Sequence, residues 1–329
     1  MYRVRTLRHL ALSGALLGLS VLPAQAALTL TADGIAAGFS LSTFMNDPSH
    51  YYGLINLANA PDGSLIGASY GTGSFVRLNN VDNQTFADVL ASTPAGGSPY
   101  NTVASGGVVY GGVNGGIYST ISTSLAISPL ALTPPATPYL GMWANPVNGH
   151  LLSASYSGII DIDPVAGTTR VVAAVFPDGV TVSPDGKIVY AEIGGAIIGY
   201  DIATGAEVFN SGFLPGGPDG TGVISGGVFN GDIIVNNNDG TIGLLDTAGV
   251  APYLIIASGG ARGDFVSPDS TTGTLFLFMA DATYRLSCGI DCTIGGPPPV
   301  GAPEPATLAL LSVGLAALGV ARRTKRQQR

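Results

Sequence analysis

Glu192, Asn238 and Asp239 are oxygen donors that each close a run of apolar alternation. Glu192 is the next-to-last residue of "KIVYAEI", and the other two follow "DIIVNN". Two carboxylates and an amide are hard ligands of the kind Ca²⁺ collects, completed by water and backbone carbonyls. Asn and Asp are also good turn formers, so hairpin chemistry is the competing reading. Nucleophilic catalysis has thin support. The chain beyond its first residues has two histidines, His50 and His150, and Ser69 in "GASYG" lacks the strand-to-helix setting of a nucleophile elbow. Both histidines read as surface or packing residues. The tripeptide Arg262-Gly263-Asp264 carries no function of its own. Cys288 and Cys292, in "SCGIDC", suit a small-loop disulfide, with a thiolate metal pair as the alternative.

The elements that must position these residues are short strands. In "GVTVSPDGKIVYAEIGGAIIGYDIATGAEVF", a short strand at Thr181–Ser183 meets the turn Pro184-Asp185-Gly186. "KIVYAEI" alternates as a second strand, "AIIGYDI" as a third, and "AEVFNSGF" as a fourth. Four antiparallel strands on short hairpins make one propeller blade. Five further segments fit the same template. Third strands enter at Phe75, Ile117, Ile159, Ile197, Ile242 and Thr283, with spacings of 42, 42, 38, 45 and 41 residues. A period near forty with four strands per unit predicts an all-β, six-bladed β-propeller of four-stranded antiparallel blades. The sixth unit lacks an outer strand, and "AAGFSLSTFMN", ahead of the first blade, is the segment available to supply it and close the ring.

Both ends lie outside this domain. "MYRVRTLRHL", an apolar stretch and "AQA" form a secretory signal peptide, with cleavage between Ala26 and Ala27. The other end reads "APEPATLALLSVGLAALGVARRTKRQQR". Its apolar run from Ala306 to Ala321 would make a helix of roughly 24 Å, short of a ~30 Å hydrocarbon core, before five bases. The expected organisation is a signal peptide (1–26), a propeller (27–287), a Cys/Pro/Gly-rich linker (288–302) and a C-terminal segment of apolar helix and basic tail (303–329). Without the ends, five bases face twenty acids, so the body carries −15 against −8 for the whole chain. Such a surface repels phosphate backbones and argues against nucleic acid as a partner.

The C-terminal segment resembles the PEP-CTERM sorting signal of Gram-negative bacteria, through Pro303-Glu304-Pro305-Ala306-Thr307, the apolar helix and the Arg-rich end. The resemblance implies export across the inner membrane, transient anchoring there, processing by an exosortase-type enzyme, and a destination at the cell surface or extracellular matrix. The body, through "VSPDGKIVYAE", "YDIATG" and "NPVNGHLLSAS", resembles NHL-type, gluconolactonase-like and streptogramin-lyase-like propellers. In those, ligands sit at one channel mouth, between loops joining second to third strands and loops leading into first strands. Here the former hold Tyr70, Asn114, Tyr156, Glu192, Asn236 to Asp239 and Asp281, and the latter Asn101, Trp143 and Asp264. The gluconolactonase-like enzymes hold a catalytic divalent metal with such carboxylates and amides, which makes Glu192, Asn238 and Asp239 the candidates. Two functions follow. The first is a noncatalytic exported scaffold or binding protein whose partner is extracellular polysaccharide or protein. The second is a secreted hydrolase or lyase dependent on a divalent metal such as Ca²⁺.

Overall fold

A computed structural model describes residues 27–47, 49–288 and 293–294. The chain forms six four-stranded antiparallel blades around one axis. Blade 1 comprises Asn56–Asn59, Leu65–Ser69, Ser74–Leu78 and Ala91–Pro94. Blade 2 comprises Pro99–Ser105, Val108–Val113, Tyr118–Ile121 and Ile127–Pro129. Blade 3 follows with Pro138–Ala144, Leu151–Ser155, Gly158–Asp163 and Thr168–Ala173. Blade 4 has Val180–Val182, Ile188–Ile193, Ala196–Asp201 and Glu207–Phe213. Blade 5 has Pro218–Ser225, Ile233–Asn237, Ile242–Leu245 and Leu254–Ser258. Third strands begin within one residue of the six expected positions. Hairpin turns fix this register through side chains as well as glycines. At the turn into the second strand of blade 4, Asp185 Oδ1 accepts from Ser183 Oγ (2.7 Å) and Ser183 Oγ accepts from the Ile188 amide (2.9 Å).

Blade 6 takes three strands from the end of the domain, Gly263–Asp269, Thr274–Met279 and Ala282–Ser287. Its outer strand is Ser40–Asn46, paired antiparallel with Ala282–Ser287. The other edge of that strand is also held, since the Asn83 and Gln84 amides donate to the Thr43 and Phe44 carbonyls (both 3.0 Å). The expected closure is therefore made, and blade 6 keeps no free edge there. Arg285 fastens the joint. It reaches Asp82 (2.8 Å) in the loop between the third and fourth strands of blade 1, pairs with buried Asp269, and lies 4.7 Å from the Phe276 ring and 5.4 Å from Phe44. The core lies between blades, where Phe44, Phe75, Phe276 and Phe278 are buried among Leu57, Leu65 and Leu78.

Two short strands attach to blade 5. Thr29–Leu30 lengthens its outer edge, and Thr293–Ile294 pairs with the far end of its innermost strand. Cys288 is disulfide-bonded. The signal segment with Ala26, Cys292, and the whole segment 303–329 with Pro303, Glu304 and Pro305 lie outside the described residues. Among the described residues no helix is long and apolar enough to cross a membrane.

Candidate functional site at the channel mouth

The innermost strands converge at the axis, where their backbones nearly touch. A Cβ on Gly220 would stand 2.2 Å from the Asp264 carbonyl oxygen, and one on Gly179 would stand 2.8 Å from that of Asp219. Only glycine lets adjacent inner strands approach so closely. Beside these glycines the pairing register breaks. Asp219 is the extra residue between Pro218↔Asn237 and Gly220↔Asn236, and Tyr100 is the extra residue between Pro99↔Val113 and Asn101↔Gly112. Similar shifts span Leu140 in blade 3 and Asp264 in blade 6. In blade 4, Asp178 and Gly179 face Glu192 together, through the Asp178 amide to the Glu192 carbonyl and the Glu192 amide to the Gly179 carbonyl (both 3.1 Å). A β-bulge re-aims a side chain that regular alternation would send elsewhere. Here each bulge turns its residue toward the axis.

The result is a cavity of about 210 Å³ with one wall residue from each blade: Ile55, Tyr100, Leu140, Asp178, Asp219 and Asp264. Tyr51, Tyr52, Tyr70 and Phe265 complete its aromatic lining, and Arg262 is its cation. The mouth is two-sided, with blades 1 to 3 supplying tyrosines and aliphatic surface and blades 4 to 6 supplying aspartates. The aromatic side continues outward. Tyr70 packs 5.3 Å from Tyr100, and Tyr139 lies 4.9 Å from Tyr156 and 4.6 Å from Phe176 (ring centroids).

Burial governs the acidic side. It pushes the Asp178 carboxyl up to about 7, with Asp219 and then Glu192 adding like charge. Burial also raises Glu192 to about 7 and Asp264 well above the usual carboxylate range, where Asp219 and Asp178 push in the same direction. Asp219 is raised by burial, against the pull of Arg262 at 3.4 Å. Burial lifts the Tyr100 hydroxyl to about 12, so it stays protonated. Near neutral pH the site therefore holds carboxyls able to donate as well as accept, beside faces that can stack on a ligand.

The sequence-derived candidates divide. Glu192 is not part of the cavity wall but lies close enough to Asp178 to raise it, and its Oε1 accepts from the Gly195 amide (3.2 Å). Asn238 Oδ1 accepts from Arg262 Nε, and its Nδ2 donates to the Gly217 carbonyl (3.1 Å). Asp239 spends Oδ1 on the turn, accepting from the Thr241 amide (3.0 Å) and hydroxyl (2.6 Å). Among the described residues no three His, Cys, Asp or Glu side chains form a group that would hold a metal ion. Asn101 and Trp143, expected in loops leading into first strands, lie inside those strands instead. They are buried, and Asn101 donates to the Leu140 carbonyl. Asp264 does reach the mouth. His50 pairs with Asp47 (2.9 Å), and His150, at a first-to-second strand turn, with Asp161 (2.9 Å).

Asp178, Asp219, Arg262 and Tyr100 are among the mouth residues that sequence reasoning passed over. A signal existed. Pro-Asp-Gly occurs at 61–63 and 184–186 as hairpin turns between first and second strands, but at 177–179 and 218–220 it leads into innermost strands. The tripeptide is the same, and its place in the blade decides whether the aspartate caps a turn or faces the axis.

The comparisons fit this architecture. Residues 302–326 match the PEP-CTERM protein-sorting motif, which marks an exported, envelope-sorted protein processed by an exosortase-type enzyme. Solved structures that it resembles include a gluconolactonase from Xanthomonas campestris, at 14% identity and TM-score 0.59 over 80% of this chain and 95% of that one. Virginiamycin B lyase from Staphylococcus aureus matches at 15% identity and TM-score 0.52, over 76% and 99%. An auxiliary nutrient binding protein from Bacteroides ovatus matches at 12% and 0.56, over 76% of each. At these identities the likeness is one of fold: a six-bladed propeller whose neighbours are gluconolactonase- and streptogramin-B-lyase-type propellers. No curated protein matches the sequence.

Proposed function

We propose that this chain is an exported, noncatalytic propeller that binds extracellular polysaccharide at its channel mouth and serves as a scaffold of the cell surface or extracellular matrix. The observation that carries this reading is the cavity of about 210 Å³, with tyrosine faces on one side and hydrogen-bonding carboxyls on the other. Aromatic faces stack on the C–H faces of sugar rings, and carboxyls and Arg262 can bond their hydroxyls. The mature chain begins at Ala27 and lacks the basic C-terminal block; before processing it comprises the propeller over 27–287, the linker 288–302 and the sorting segment 303–329. Terminal mass analysis of the secreted form checks that processing. Calorimetry against oligosaccharides of the producing cell's surface checks the binding. Saturable binding that Tyr100→Ala weakens at least tenfold, with no turnover, is the expected result. Turnover without retention would refute it.

The second reading, a hydrolase or lyase dependent on a divalent metal, draws support from Asp178, Asp219 and Asp264 in the cavity wall, with Glu192 near Asp178, against one guanidinium. A cation would have to draw those side chains together. If Ca²⁺ raises the melting temperature and Glu192→Gln removes the rise, this reading stands. No saturable binding up to millimolar Ca²⁺ eliminates it.

A further inference from the structure

The cavity is not the whole aromatic surface. Tyr139, Tyr156 and Phe176 form a second cluster beside it, joined through Leu140 and Asp178, which follow Tyr139 and Phe176 in the chain and line the cavity. Tyr156 is 53% exposed and Phe176 58% exposed. Large apolar rings left this open on a rim mark an interaction surface. Tyr156 is also fixed in place, because its hydroxyl donates to Asn114 Oδ1 (2.6 Å) on the neighbouring blade. A platform held from two blades costs little ordering on binding.

Building on the polysaccharide reading, we propose that the mouth is a two-part site for an oligosaccharide carrying free amino groups, with one sugar in the axial cavity and its neighbour on the Tyr139–Tyr156–Phe176 shelf. Charge complementarity selects this occupant. The cavity wall holds Asp178, Asp219 and Asp264 against Arg262 alone, and Arg262 is already engaged by Asp219 and Asn238. The body as a whole, these residues included, carries −15. An acidic glycan would bring like charge to this wall, and a fully acetylated one would leave the Asp178 carboxyl without a cation. An ammonium group supplies that cation, and tyrosine faces attract it further. A cavity with an aromatic shelf beside it suits a chain rather than a single ring.

The test is calorimetry on the full protein with three probes of equal length: a β-1,4-linked glucosamine hexamer, its N-acetylated counterpart and a galacturonate hexamer. The glucosamine hexamer should bind at least tenfold tighter than the acetylated one, and the galacturonate should not bind. Asp178→Asn should remove most of the preference for the amine. Glucosamine itself should bind more weakly than the hexamer, and Phe176→Ala should erase that advantage of length. Asp62→Asn, on a distant turn, should change neither. Equal binding of the amino and acetylated hexamers, weakened by Tyr100→Ala, would overturn the amine selection while leaving the polysaccharide reading intact. If none of the three probes binds, both fail. Preference for the galacturonate would overturn the charge argument outright.

Discussion

At the scale of single residues, the mouth carboxyls tie pH to stability. Asp178 is held at about 7, far above its ordinary 3.8, chiefly by burial and then by Asp219 and Glu192. A carboxyl raised in the folded state keeps its proton where the unfolded chain has lost it. Its contribution is therefore most favourable at low pH and falls as pH rises from about 4 through 7. Glu192 acts in the same direction over the same window. Asp269 has the opposite sign, because hydrogen bonds from Asn80, Thr272 and Asn59 and the Arg285 ion pair, against the opposing effect of burial, lower it. Its contribution is lost as pH falls below about 4. We expect a melting temperature several degrees higher at pH 5 than at pH 8, with Asp178→Asn flattening the difference. A wild-type melting temperature that rises from pH 5 to pH 8 would show that the mouth is not desolvated.

At the scale of elements, the joint between the two ends of the domain is where one residue has most leverage. Arg285 sits on the third strand of blade 6 but binds Asp82 in the third-to-fourth strand loop of blade 1, Asp269 on the innermost strand, and the face of Phe44 on Ser40–Asn46. Removing the cation leaves buried Asp269 unpaired by any base, so Arg285→Met should cost on the order of 3–5 kcal/mol in denaturant unfolding. The companion change Asp269→Asn should recover part of that loss; no recovery would mean that packing on Phe276, not charge, is what Arg285 supplies. Deleting 38–46 exposes the edge of Ala282–Ser287, and the truncated protein should associate or aggregate. A truncated chain that stays monomeric with an unchanged melting profile would contradict the closure. This joint was readable beforehand to an unusual degree. Blade 6 was one strand short, and one unassigned alternating segment was available. The anchoring by Arg285 was not readable, because its partners lie about 200 positions away for Asp82 and on a different strand for Asp269.

At the scale of the whole molecule, the ring closes only as tightly as its inner strands allow. Gly141 meets Gly179, Gly179 meets Asp219, and Gly220 meets Asp264 and Phe265, so the succession runs from blade 3 to blade 6. Gly220→Ala would place a methyl group against backbone that cannot swing aside. We expect a loss of about 1–3 kcal/mol or more, and a mouth splayed enough to weaken ligand binding as well. Wild-type stability in Gly220→Ala would mean that the blades are packed more loosely at the axis than these contacts imply. Because Thr293–Ile294 pairs with the end of Pro218–Ser225 opposite Asp219, the chain leaves the ring on the face away from the cavity.

The sequence by itself determined the blade count, the strand order and the closing strand, because hairpins are local and period-two alternation with Asp-Gly and Gly-Gly turns is written into neighbouring residues. It also determined the sorting motif, which is read linearly. Only the tertiary structure decided the site. Which aspartate faces the axis depends on bulges, and a bulge is a mismatch between two strands rather than a property of either. Asp178 and Asp185 both stand between Pro and Gly, yet one is desolvated beside Asp219 and the other caps a turn in solvent. The raised carboxyls, the split of the mouth into aromatic and acidic halves, and the role of Arg262 all arise from six separate blades meeting at one axis, a distance relation that no local pattern encodes.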